Sequence, residues 1–378
     1  MQYRKWYYVV LLLALALSAC AGPAETAAPP ATPDESGAGA ATAAPAESEA
    51  ASGGEMATLN VMTHDSFAVS EDLIAGFEAQ NNVKVNFIQA GDAGAALNRA
   101  ILSKDSPLAD VIYGVDNTFL SRALEADLFV PYASPALETI PDAFKLDPDN
   151  NLLPVDFGDV CINYDKAYFA EHDLALPQSL EDLTLPEYKG LLAVESPATS
   201  SPGLAFLMAT IAHFGEDGYL QFWQQMRDND AVVVNDWETA YYTNFSGSSG
   251  QGSQPMVVSY GSSPPAEVIY ASEPLDDAPT ASLVGPDMCY RQVEFVGILK
   301  GTQNQALAEK FVDFMLSVPF QEDMPLQMFV FPVQSDAQLP EAFDLYAQIP
   351  EQPAQLDPAQ VAQNRDAWIE AWDEAVLR

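Results

Sequence analysis

From Thr58 onward the chain alternates short apolar runs with helical patterns, and that rhythm restricts it to few architectures. LNVM (59–62) reads as a strand, followed by the turn THDSF and an amphipathic stretch carrying Leu73, Ile74 and Phe77. VKVNF (83–87) alternates with period two, ALNRAIL (96–102) has helical spacing, and ADVIYG (109–114) reads as a buried strand. LLAVES (191–196), AVVVN (231–235), MVVSY (256–260) and VEFVGIL (293–299) repeat the theme, each closed by a turn or helix signal. In ALAEKFVDFML, Leu307, Phe311, Phe314 and Met315 share one helical face, and Trp368, Trp372 and Val376 share another near the C-terminus. Both stripes read as core packing. The alternation predicts an α/β fold with mostly parallel sheets. In such sheets ligands sit beyond the carboxyl ends of strands. Polar and aromatic clusters directly after strands are therefore candidate sites: His64-Asp65-Ser66, Gly91-Asp92, the run Thr199 to Gly203, Trp237, and the run Tyr260 to Ser263.

At 378 residues, 48% of them hydrophobic, the chain is long enough for two ordinary domains and a sizeable core. Fifteen basic against 54 acidic side chains leave a net charge of −39. That excludes electrostatic attraction to nucleic acid or an anionic membrane surface, and weakly favours a cationic ligand. No dinucleotide or phosphate loop, no GxSxG and no metal spacing is present, and the serines have no partnering histidine. An enzyme is not expected, nor a cofactor or a metal.

MQYRKWYYVVLLLALALSAC opens with a basic region at Arg4 and Lys5 and an apolar stretch too short for an ordinary membrane span. Leu17-Ser18-Ala19-Cys20 resembles a bacterial lipobox, so residues 1–20 read as a lipoprotein signal peptide with Cys20 lipidated. Its loss would leave 13 basic against 54 acidic residues, a net −41. Residues 21–55 hold no large apolar side chain, which predicts a disordered tether over 21–56 reaching about 30–35 Å. The body would then work outside the cytoplasmic membrane, anchored to its outer face or in a periplasm. In that oxidising setting Cys161 and Cys289 are read most economically as a disulfide.

The collinear segments THDSF, ADVIYGVDN, VDFGDVCINYDK, SPATSSPGLAF, NDWETAY, VSYGSSP, QVEFVGILKGT, SVPFQEDMPLQMFVFPV and NRDAWIEAWDEAV resemble the thiamine-binding proteins of bacterial ABC importers. The resemblance runs from about Leu59 to the C-terminus. It implies a two-lobed periplasmic-binding-protein fold of type II, with a hinged cleft. Lobe 1 would comprise 57–158 and 289–320, lobe 2 159–288 and 321–378. Cys161 and Cys289 would lie where the chain crosses between lobes, bonded near the hinge. His64, Asp65, Asp92, Ser200, Ser201, Trp237, Tyr260, Gly261, Ser262, Ser263 and Phe329 would line the cleft for thiamine or a thiamine phosphate. The implied partners are an ABC permease and its ATPase, with the binding protein a monomer. His64 stands where a tyrosine is common, and Ala266 and Phe329 replace larger aromatics. The alternative solute is another small cation: a polyamine, or ferric ion, because Tyr241-Tyr242 resembles the paired tyrosines of related iron-binding proteins.

Overall fold

The computed structural model describes residues 56–249 and 252–378. The leader, Cys20 and all of the expected tether except Met56 lie outside the described residues. The sheet has 11 strands: β1 Ala57–Thr63, β2 Val83–Gln89, β3 Val111–Asp116, β4 Phe129–Val130, β5 Leu153–Asp165, β6 Leu192–Glu195, β7 Val232–Val234, β8 Met256–Tyr260, β9 Thr280–Leu283, β10 Tyr290–Leu299 and β11 Phe331–Pro332. Every run that reads as a strand in the sequence coincides with one of them. Their order is β2-β1-β3-β10-β5-β8-β6-β7, with the short β4, β9 and β11 paired beside this path.

The sheet is mixed, which corrects the expectation of mostly parallel pairing. β1 runs parallel to β2 and β3, and β6 runs parallel to β7 and β8. Between these two groups stand β5 and β10, antiparallel to each other and to their outer neighbours β8 and β3. A buried strand reads as one apolar run whichever way it points, so direction was not legible. The fold is the two-lobed one of periplasmic binding proteins: two parallel groups, joined by two long strands that cross between them.

Helices Glu71–Asn81, Gln305–Met315 and Val318–Gln327 cover the first group. Their Phe77, Phe311, Met315, Phe320 and Met324 pack on Leu59, Val61, Val85 and Val111. Around the second group, Val194, Met256 and Val258 meet Leu204, Leu207 and Ile211 of helix Ser201–Phe214. The C-terminal stripe buries Trp372 edge-on against Trp223, with ring centroids 5.4 Å apart. Burial of each such side chain contributes about 1.5–3 kcal/mol, so both predicted stripes are core. Cys161 of β5 and Cys289, the residue before β10, are disulfide-bonded with Cα atoms 4.3 Å apart. The bond sits beside the Val160–Tyr290 register pair and joins the two crossing strands.

Candidate ligand-binding site

A cavity opens at the carboxyl ends of the parallel strands. His64 follows β1, Asp92 follows β2, Ser201 follows β6, Trp237 follows β7, and Tyr260 ends β8; all five line it, with Ser66, Ser263 and Phe329. Asp92 caps helix Ala93–Leu102, with Oδ1 accepting from the Ala93 N–H at 2.7 Å. Its Oδ2 accepts from the Trp237 backbone N–H at 3.2 Å, which ties the two strand groups together across the cavity. The Trp237 indole stacks on Tyr241 at 4.9 Å and donates Nε1–H to the Ser259 hydroxyl at 2.9 Å, and Ser263 in turn lies 3.0 Å from Ser259. Thus an aromatic face is fixed by its polar edge.

Two glycines make room for this furniture. Gly114 in β3 has φ +98°, and a Cβ there would run into the His64 ring. At Gly158 in β5 a Cβ would lie 2.7 Å from Tyr260 Cδ1. The Tyr260 hydroxyl accepts from Gln292 Nε2 at 3.0 Å. Phe329 holds its ring at the cavity with φ +55°, a left-handed conformation costly for a bulky residue and found chiefly where a site imposes it.

The remaining predicted residues surround the cavity without lining it. Asp65 is exposed and accepts from the Gly91 N–H at 2.9 Å, pinning the ends of β1 and β2. Gly261 uses its backbone, donating to the Asp159 carbonyl at 2.8 Å and accepting from the Gln348 N–H at 2.7 Å. The Ser200 and Ser262 hydroxyls are buried beside lining serines; Ser200 bonds toward the Asp92 carboxylate, and Ser262 has no partner among the described residues. A buried hydroxyl left unpaired costs about 1–3 kcal/mol, and Ser262 keeps open hydrogen-bonding capacity beside the cavity wall.

Sequence reasoning missed Glu294, Gln327 and Met328, which also line the cavity. Glu294 sits in VEFVGIL, where the apolar run hides it; a lone carboxylate in a buried strand was the available signal. It faces Asp156 directly across the β5–β10 ladder. Tyr113 donates its hydroxyl to Asp156 at 2.6 Å and approaches Glu294 at 3.0 Å. His64 Nε2 lies 3.8 Å from Glu294. Burial lowers the His64 pKa, against the pull of Asp92 and Asp65. Among the described residues no lysine or arginine lines the cavity.

Burial also pushes the carboxylates up. Asp156 stands well above the usual range through burial and the Glu294 charge, and burial raises Asp92 and Glu294. Asp116, at the end of β3, is pushed up to about 6 by burial, against hydrogen bonds from Ser201 and Thr118. A raised carboxyl binds more protons folded than unfolded between about pH 4 and its native pKa. Its stabilisation is full below about pH 4 and is lost as pH rises through 6. The unliganded protein should therefore melt at lower temperature at pH 7.5 than at pH 5. Asp116→Asn should remove about 1 kcal/mol of the stability difference between pH 5 and pH 7.5, as an order of magnitude. Melting curves by circular dichroism check this; an unchanged slope in the variant would reject it.

Residues 106–350 match the family described as bacterial extracellular solute-binding protein. The chain is 32% identical over 326 residues to a thiamine-binding periplasmic protein of Salmonella typhimurium strain LT2, covering 85% of this chain and 94% of that one. Among solved structures, a periplasmic thiamin binding protein superposes with a TM-score of 0.75 at 29% identity, covering 86% of this chain and 98% of that one. A ferric binding protein from Campylobacter jejuni gives a TM-score of 0.67 at 22% identity over 84% of this chain and 99% of its own, a likeness of fold alone. The chain belongs to the bacterial extracellular solute-binding proteins.

Proposed function

We propose that the protein is a carrier rather than an enzyme, capturing thiamine outside the cytoplasmic membrane and delivering it to an ABC permease and its ATPase. The observation that carries this reading is a cavity walled by Trp237, Tyr260 and Phe329 and bordered by Asp92 and Glu294, with no lysine or arginine among the described residues that line it. Thiamine combines a permanently cationic thiazolium with an aminopyrimidine, two flat rings that suit aromatic faces and carboxylates. A cation over an aromatic face gains about 0.5–2 kcal/mol. The relatives named for thiamine support the same ligand.

The ferric alternative fares less well. Tyr241 is buried and donates its hydroxyl to Glu267 at 2.7 Å. Among the described residues no group of three or more His, Cys, Asp and Glu is placed to hold a metal ion. Calorimetric titration with thiamine tests the proposal: saturable one-to-one binding is expected, and no heat at millimolar thiamine would overturn it. With no lysine or arginine among the described lining residues, unphosphorylated thiamine is the expected ligand over its phosphates.

Closure would occur about β5 and β10, with lobe 1 built from 57–158 and 289–320 and lobe 2 from the rest. Phe320, Met324, Val330 and Val333 pack in the same core as Leu59, which supports extending lobe 1 to about Val333. The carrier would act as a monomer held by a lipid on Cys20. Cys20→Ala should then yield uncleaved or released protein; normal lipid labelling of that variant would reject the anchor.

A further inference from the structure

A second chamber of about 390 Å³ adjoins the cavity and shares Trp237, Tyr242 and Phe329 with it. Ala266 lies between them in chain terms, at the start of the short helix Pro264–Ile269, and its small side chain leaves the chamber open. The walls are rings set at steep angles. Tyr242 stands edge-on to Trp237 at 5.4 Å and 78°, and Tyr270 edge-on to Phe329 at 5.6 Å and 88°. One carboxylate completes the lining, that of Glu267, which accepts from the Tyr241 hydroxyl at 2.7 Å. Among the described residues no lysine or arginine lines the chamber.

We propose that this chamber is the subsite for the ligand's cationic ring, with Glu267 as its counter-ion and Tyr270 as an outer wall. The inference rests on the reading of the ligand as thiamine. A cation enclosed by π faces is attracted by each ring's quadrupole, more strongly as water leaves. A carboxylate beside it adds a charge interaction that low polarity strengthens. Glu267 suits the task because its one hydrogen bond among the described residues comes from a neutral hydroxyl, which orients the group without neutralising it. Burial raises its pKa, a cost that an arriving cation offsets.

Titration calorimetry with two probes tests this: thiamine, and the N-methylthiazolium ion as the ring alone. Glu267→Gln keeps the bond from Tyr241 and removes the charge. It is expected to weaken both probes about tenfold, within the range for a desolvated cation. Tyr270→Ala, at an exposed position that does not threaten folding, should weaken both about threefold to fivefold. Thiamine binding that is unchanged in both variants would overturn the chamber and leave the proposed function standing. Binding of N-methylthiazolium that depends on Glu267, without thiamine binding, would uphold the cation subsite and overturn thiamine as the solute. No binding of either probe would overturn both.

Discussion

Replacing Cys161 and Cys289 together with alanine is expected to lower the unfolding free energy by about 2–5 kcal/mol. The two cysteines are 128 residues apart, and a loop of that length gives about 5 kcal/mol in the chain-entropy treatment, an upper figure in practice. The placement explains why so long a loop is closed. β5 carries the chain from the first strand group to the second and β10 brings it back, so the bond ties the excursion at its base. It restrains the unfolded chain while leaving the native crossing strands in their own register. Both residues are fully buried, so reductant should act slowly on native protein and readily on unfolded protein. Urea unfolding of the double variant and of the parent measures the difference. A shift below about 0.5 kcal/mol would show that the bond contributes nothing beyond the packing of β5 on β10.

What the sequence disclosed depended on how each element meets its neighbours. β1, β2, β3, β6, β7, β8 and β10 were legible because each is a short apolar or alternating run with a turn behind it. β5 was not, despite its 13 residues, because Pro154, Asp156, Gly158 and Asp159 break the pattern. Those breaks are satisfied only by tertiary partners: Tyr113 binds Asp156, and Arg291 grips Asp159 with bonds of 3.0 and 2.7 Å. A one-dimensional pattern cannot contain such pairs. The same limit applies at the site. His64, Asp92, Ser201, Trp237 and Tyr260 were found from their position after strands, where the topology gathers side chains from distant segments. Glu294 had only its isolation as a carboxylate within an apolar strand to mark it, and Glu267, in a short helix, had nothing local to set it apart. Their meaning comes from the rings and carboxylates that face them.

Trp237→Ala is expected to weaken thiamine binding by about 2–4 kcal/mol, or roughly thirtyfold to a thousandfold. The indole borders both the cavity and the adjoining chamber, so its loss removes a wall from each. Trp237→Phe keeps a π face and gives up the bond to Ser259, and should cost less. The same residue supplies the optical readout. Trp223, Trp368 and Trp372 are buried in the core, so ligand-dependent quenching of intrinsic fluorescence should come from Trp237 and vanish in Trp237→Phe. Asp92 tests the electrostatic half of the argument. Its carboxylate is held by the N–H groups of Ala93 and Trp237, and burial raises its pKa. Closure around a cation places charge and countercharge together in a low dielectric, where an orphaned partner is costly. Asp92→Asn keeps the shape and removes the charge. If the carboxylate serves the cation, the variant should lose more affinity for thiamine than for a neutral aminopyrimidine analogue. Equal losses would instead assign Asp92 to hydrogen bonding with the pyrimidine, and full thiamine affinity in Trp237→Ala would remove the aromatic wall from the binding account.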